Sequence, residues 1–269
     1  MFALKYLFKG TYSILKTANG RHLLKLMFKY GNISRYSQRN ISFLNYKFIV
    51  PDCMSFLFQF HEIFVEEFYK FTSEEKDPII LDCGANIGTS CVYFKKLYPT
   101  SKIIAFEADL VIADILKSNI EFNKIANVEI INKAVWINDN GVSFASEGSD
   151  GSSIFGIGDK VIVPSIRLKD ILDQMERVDI LKMDIEGAEN EVLIDCKNSL
   201  NHVKNIFIEY HSFPNQNQKL NEILEVLSQN GFRYYINSIQ NRKSPLINHY
   251  YKNNDFMDLQ LNIFGYKNY

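Results

Sequence analysis

The 269-residue chain reads as an α/β protein, a seven-stranded, mostly parallel sheet with helices on both faces, preceded by a basic helical N-terminal extension. Three observations predict this. From Pro78 onward, short β-rich apolar runs alternate with stretches of helical spacing, the mark of parallel strands joined by crossover helices. The first run ends in a glycine-bearing turn, LDCGANIGTS. Charge is also divided: residues 1–51 hold nine Lys and Arg and no Asp or Glu, leaving 21 basic and 31 acidic residues behind a net charge of only -1.

The first elements belong to the basic segment, expected over residues 1–48, with the main domain over 49–269. MFALKYLFKGTYSIL and RHLLKLMFKY mix Lys and Arg with Phe, Leu and Tyr. That suits a helix on an anionic membrane surface or a helical hairpin covering the acidic main domain. The hairpin is preferred, and a peripheral membrane contact is kept as a partner expectation. No apolar run approaches the roughly 20 residues of a membrane span. Lys5 and Lys9 break the first apolar stretch, so no signal peptide is expected and the chain is expected in the cytoplasm. CMSFLFQFHEIFVEEFYKF, residues 53–71, reads as one amphipathic helix.

In the main domain, PIILDCGA is the first strand and Thr89–Leu97 the helix after it. KIIAFEAD is the second strand, followed by LVIADILKSNIEFNK with an apolar face of Val111, Ile115, Leu116 and Ile120. NVEIINKAV is the third. VDILKMDI is the fourth, leading into the helix EGAENEVLIDC, and NIFIEYH is the fifth, before the helix QKLNEILEVLSQNG. FRYYIN and DLQLNIFGYK close the sheet as an antiparallel pair at one edge. Residues 143–173 form an irregular insertion, glycine- and serine-rich and then a short strand and helix. Four scattered cysteines lack C-x-x-C spacing, so neither a disulfide framework nor a zinc site is expected; Cys83 and Cys91 fall at buried positions.

Ligands of such sheets bind at the carboxyl ends of the strands where strand order reverses. Gly84 and Gly88 of the first turn permit close backbone approach, but the pattern D-x-G-x-N-x-G lacks the third glycine of a dinucleotide turn. Asp82 places a carboxylate where a pyrophosphate would sit, and so favours an ammonium or sulfonium ligand such as S-adenosylmethionine. Glu107, ending the second strand, is placed to accept hydrogen bonds from ribose hydroxyls, which NAD and S-adenosylmethionine share. Asp184 ends the fourth strand, with Glu186 and Glu189 read as capping its helix. Glu209 and His211 share one face of the fifth strand, with Tyr210 on the other. A neutral His211 oriented by Glu209 suits the general base of methyl transfer to a hydroxyl.

These blocks carry a resemblance. IILDCGANIGTS, IIAFEAD, INKAVW, LKMDIEGAE and FIEYHSF, in order from about Ile49 to Tyr235, resemble the FkbM-type methyltransferases, S-adenosylmethionine-dependent enzymes of the Rossmann-like class. The resemblance implies cofactor contacts at Asp82, Gly84, Asn86, Gly88 and Glu107, with Asn132 or Ala134 near the adenine. It implies O-methylation, with a sugar hydroxyl of a glycan or secondary metabolite as the favoured acceptor. Asp184, Glu209 and His211 complete the expected catalytic set.

Other functions fit the sequence less well. A nicotinamide oxidoreductase would want the missing glycine, and its Tyr-x-x-x-Lys spacings, Tyr12/Lys16 and Tyr98/Lys102, fall away from the strand tips. A non-catalytic binding module would leave the strand-end carboxylates and histidine unexplained. A nucleic-acid substrate conflicts with the acidic main domain. A divalent metal held by Asp184, Glu209 and His211 is an alternative to the histidine base, and no metal is expected.

Overall fold

The computed structural model describes residues 14–145, 160–214, 216–238, 242–249 and 257–267. Among them α1 (Ala18–Tyr30) is followed by a hairpin of β1 (Arg39–Phe43) and β2 (Tyr46–Val50), then α2 (Cys53–Phe60). The main sheet contains β3 (Ile79–Cys83), β4 (Lys102–Phe106), β5 (Val128–Ile131), β10 (Val178–Met183), β11 (Val203–Ser212), β12 (Arg233–Ser238) and β13 (Leu259–Tyr266). Its order is β12-β13-β11-β10-β3-β4-β5. The five central and right-hand strands run parallel, while β13 pairs antiparallel with both β11 and β12. The seven strands and the antiparallel edge agree with the sequence reading. The chain winds outward from β3 to β5 and returns to β10 on the other side, so strand order reverses between β3 and β10.

Period-two alternation decides which face each side chain covers. Ile80, Ile180 and Phe207 point to one layer, with α3 (Thr89–Leu97) and α4 (Leu110–Phe122). Leu81, Leu181, Met183, Ile206 and Ile208 point to the other, with α6 (Glu189–Asp195) and α7 (Leu220–Gln229). On α4 the buried apolar residues are Ile112, Ala113, Ile115, Leu116 and Ile120, whereas Val111, expected on the apolar face, lies exposed in the first turn.

The extension is only partly helical. Residues 39–50 alternate apolar and polar, and fold as a hairpin that buries Ile41, Phe43, Phe48 and Val50. The 48/49 boundary therefore falls inside β2, and residues on both sides of it join one core with Ile80 and Phe94. Asn119, 1% exposed, ties the hairpin to α4: its Oδ1 accepts from Ile49 N at 2.7 Å and its Nδ2 donates to the carbonyls of Ile49 and Ile87. Phe43, Phe56, Phe60 and Phe64 pack edge-on or stacked, the Phe60 and Phe64 rings lying 4.9 Å apart.

Three expected elements are interrupted. The helix predicted over 53–71 ends α-helical geometry at Phe60 and continues as a π-turn over His61–Val65; Glu67 then takes a left-handed φ of 56° and ends it. The third strand breaks at Asn132 and Lys133; β6 (Ala134–Trp136) leaves the sheet to pair with β9 (Ser165–Arg167). The helix predicted from Glu186 begins at Glu189, because Glu186 and Gly187 adopt φ of 53° and 103°. In the insertion, β7 (Val142–Ala145) pairs with β8 (Lys160–Val163), and α5 (Leu168–Leu172) follows β9. The glycine- and serine-rich part, 146–159, lies outside the described residues. All four cysteines are free and buried. Among the described residues no helix is long and apolar enough to cross a membrane.

Candidate active site

The tips of β3, β4, β10 and β11 meet at the reversal point. The β3 turn shows why glycine stands where it does. Gly84 has φ +81°, and a Cβ there would lie 1.8 Å from the carbonyl oxygen of Asp184, so the β3 turn and the end of β10 touch backbone to backbone. Gly88 has φ +92°, and a Cβ would lie 2.7 Å from Leu116 Cδ1 on α4. Between them Asn86, φ 48°, turns its own Oδ1 onto the Ile87 amide at 2.7 Å. A small cleft beside this turn is lined by Asp52, Ser55, Gln59 and Asn86.

Asp82 lies beneath the turn, fully buried. It accepts from Ser90 Oγ at 2.5 Å and faces Lys182 Nζ at 3.3 Å. Its charge is thus half of an ion pair, and not the bare carboxylate that the sequence suggested. Lys182, 2% exposed, also donates to the Gly84 carbonyl and stands 3.6 Å from Asp184. A buried pair of this kind contributes little net stability while whole, yet is costly to break. Lys182 braces the β3 turn against the tip of β10.

At the tip of β4, the Glu107 carboxylate accepts the amide of Asn86 at 2.9 Å and that of Asp109 at 3.0 Å. Burial pushes its pKa up to about 7, against the pull of those two amides. A carboxylate has about four acceptor positions, so roughly half remain for ligand hydroxyls. Asn132 Nδ2 donates to the Glu107 carbonyl at 2.8 Å and ties the end of β5 to the end of β4. Ala134 is buried in β6, 6% exposed. The structure therefore gathers Gly84, Asn86, Gly88, Glu107 and Asn132 on one side of the reversal point, with Asp82 supporting them from below.

On the other side stand Asp184, Glu209 and His211. His211 is 6% exposed. Its Nδ1 lies 3.0 Å from Glu189 Oε1, and its Nε2 lies 3.7 Å from Glu186 Oε2 and 3.8 Å from Glu209 Oε1. Glu189, read from sequence as a cap, is thus the buried partner that orients the imidazole, and its carboxylate also accepts the amides of Ile185 and Gly187. Glu209 instead accepts from Gln260 Nε2 on β13. Burial disfavours the imidazolium of His211, but the carboxylates of Glu189, Glu186 and Glu209 outweigh it and hold the pKa well above the ordinary histidine range. Burial, then Asp184, raises the Glu209 carboxyl well above its usual value. The expected neutral imidazole is replaced by a proton-sharing cluster in which one imidazolium sits among several carboxyls.

Sequence reasoning missed two further groups. Glu62 lies in the π-turn, a geometry frequent at functional sites, and burial followed by the charge of Asp184 raises its pKa to about 7. Tyr69 is buried against Lys182, with the Nζ 5.8 Å from its ring centre. No local signal marks either, because both reach the site by long-range packing. Asp184, Glu186 and His211 also present ligand atoms within 4.8 Å of one another, a trio of donors suited to a divalent cation. Tyr98, considered for hydride chemistry, uses its hydroxyl to hold Ser73 N and Phe71 O, away from the strand tips.

Comparison with known proteins identifies the family. The model of the Methyltransferase FkbM domain matches residues 82–234. Methyltransferase sdnD of Sordaria araneosa is 31% identical over 173 residues, covering 51% of this chain and 67% of its own length. 2-O-methyltransferase NoeI of Sinorhizobium fredii (strain NBRC 101917 / NGR234) is 24% identical over 159 residues, covering 51% and 65%. The match thus spans about two thirds of the length of these relatives. The solved structure of Methyltransferase FkbM from Methylobacillus flagellatus KT aligns with a TM-score of 0.46 and 14% identity, over 72% of this chain and 45% of that one. With the domain model covering more than half of its length, the chain belongs to the FkbM family of S-adenosylmethionine-dependent methyltransferases.

Proposed function

We propose that the protein is an O-methyltransferase acting on a hydroxyl group, with a sugar hydroxyl as the favoured acceptor. The observation that carries this reading is the placement of His211 at the strand tips, its Nδ1 held at 3.0 Å by the buried Glu189 and its Nε2 lying 3.7 Å from Glu186 and 3.8 Å from Glu209. That pairing fixes the ring and stabilises its protonated form, the role an orienting carboxylate plays behind a catalytic histidine.

The residues of the β3 turn fit the cofactor. Glu107 retains acceptor positions suited to two adjacent hydroxyls, and the close packing of Gly84 on Asp184 and of Gly88 on Leu116 fixes the backbone of the turn beside it. When bound, S-adenosylmethionine supplies an electrophilic methyl group on a sulfonium. Asp82, Asp184, Glu186 and Glu189 outnumber Lys182 and His211, with which they pair, and that acidic excess favours a cationic ligand over a pyrophosphate. In the transfer, the acceptor oxygen gains the methyl as the sulfonium carbon–sulfur bond breaks toward sulfur, and the hydroxyl proton passes to a carboxylate beside the imidazolium, Glu186 or Glu209, whose charge His211 balances. General-base help of this kind is worth about 10² to 10⁴ in rate.

The name of NoeI, a 2-O-methyltransferase, supports an oxygen acceptor. The test is incubation with S-adenosylmethionine and extracted glycans and lipids, read by mass spectrometry for the gain of one methyl. His211→Ala should bind S-adenosylhomocysteine like the wild type and lose turnover; unchanged turnover would overturn the assignment of the proton-accepting cluster. A second reading rests on the trio Asp184, Glu186 and His211, which could hold a divalent cation that acidifies the acceptor hydroxyl. Activity that survives a strong chelator removes it.

A further inference from the structure

Helix α1 carries two different outward surfaces. Its inner face, Leu23, Leu26 and Tyr30, is buried against the aromatic layer of Phe60 and Phe64, and Asn19 Nδ2 donates to the Phe64 carbonyl at 2.7 Å. The outer face is not polar throughout. Leu24, Met27 and Phe28 are exposed to 38%, 50% and 93%, and at about 100° per residue they fall within one arc of the helix. Arg21, Lys25 and Lys29 are exposed on the adjoining arc. No carboxylate lies anywhere in residues 1–51, although the rest of the chain is rich in them.

A helix whose inner stripe already anchors it to the core has no folding reason to hold a phenylalanine out in water. Exposing that ring costs solubility, and its place beside three cations matches the layout of an interfacial helix, with apolar groups for the acyl boundary and cations for the headgroups. Protein–protein interfaces are depleted of lysine, whereas this helix sets Lys25 and Lys29 beside its apolar arc. A nucleic acid would use the cations but not the aliphatic and aromatic arc.

We propose that the outer face of α1 docks the protein on an anionic lipid membrane, with Phe28, Met27 and Leu24 entering the headgroup boundary and Arg21, Lys25 and Lys29 facing anionic headgroups. This surface is separate from the methyl-transfer site and does not depend on the acceptor assigned to it.

The experiment is flotation of the full chain with vesicles of phosphatidylcholine alone and of phosphatidylcholine containing phosphatidylglycerol, at low and high salt. The protein should float with the anionic vesicles, and less so as salt rises. Phe28→Ser combined with Met27→Ser should weaken partitioning about tenfold or more, given the burial worth of one such side chain. Lys25→Gln combined with Lys29→Gln should weaken it several-fold, while melting temperatures stay unchanged because all four side chains are exposed. Failure to float with anionic vesicles overturns the proposal. So does full partitioning by the Phe28/Met27 variant, which would place the contact elsewhere. Loss confined to the lysine variant, with duplex RNA bound instead, would mark a polyanion surface. A change of oligomeric state on Phe28→Ser would mark an interface between copies of this chain.

Discussion

The backbone contact between Gly84 and Asp184 is the feature that fixes the distance between the two halves of the site, and Gly84→Ala tests it. At φ +81° an alanine pays about 1–2 kcal/mol for the left-handed conformation. Its Cβ would also fall 1.8 Å from the Asp184 carbonyl oxygen, a distance that backbone atoms cannot tolerate. The turn must therefore move off the end of β10, at a cost of about 1–3 kcal/mol for overpacking. The sum, about 2–5 kcal/mol, corresponds to a drop of roughly 10 °C in melting temperature for a domain of this size. Separation of the turn also pulls the Gly84 carbonyl from Lys182 and displaces Asn86 from Glu107. Thermal melting followed by circular dichroism reads the first effect, and calorimetric titration with S-adenosylhomocysteine reads the second. Gly231→Ala is the control: it shares a positive φ of 76° but meets nothing within 4 Å, so it should lose only the conformational term. If Gly84→Ala melts and binds no worse than Gly231→Ala, the close approach is not what holds the turn.

The other predictions concern single contacts. Lys182→Met leaves Asp82 buried and unpaired beneath the turn, and should destabilise the fold by about 3–5 kcal/mol in urea titration; a loss below about 1 kcal/mol would show the brace to be unimportant. Asn119→Ala removes the bonds to Ile49 and Ile87 and should cost about 3 kcal/mol, since buried backbone groups lose their partners; neutrality would mean that the hairpin is held by apolar packing alone. Glu189→Gln should lower turnover about 100-fold or more with little change in S-adenosylhomocysteine affinity, and equal losses in both would make Glu189 a structural residue only. For Glu107, the raised pKa of about 7 means the free protein favours the protonated carboxyl, and its contribution to stability falls as pH rises toward 7. Ligand hydroxyls favour the carboxylate, so S-adenosylhomocysteine should bind more tightly between about pH 6 and 8 with release of a proton, and Glu107→Gln should flatten that rise. A flat profile in the wild type contradicts this.

Much of this site was legible because strand periodicity is a local property. The alternation of Leu181, Lys182, Met183 and Asp184 placed Asp184 at a tip, and the same rule put Glu209 and His211 on one face of β11. What sequence could not supply was partnership across the fold. Glu189 follows His211's strand in neither order nor spacing, yet the left-handed turn at Glu186 and Gly187 delays the helix until Glu189 points at the imidazole. Lys182 pairs with Asp82 one hundred residues earlier in the chain, and Glu62 arrives through a π-turn that no apolar pattern announces. The basic extension was read as helical because its Leu and Phe recur at helical spacing up to Tyr30. Its second half obeys a period of two, and the short run RNISFLNYKFIV carries both the turn and the alternation of a hairpin.

In the proposed function the β3 turn and Glu107 hold an adenosyl group attached to a sulfonium amino acid, and not a pyrophosphate. Calorimetric titration of the full chain with S-adenosylhomocysteine and, separately, with NAD tests it most directly. Saturable binding of S-adenosylhomocysteine, tighter than that of NAD and weakened by Glu107→Ala, is expected; no binding of S-adenosylhomocysteine, or a preference for NAD, would rule this ligand out.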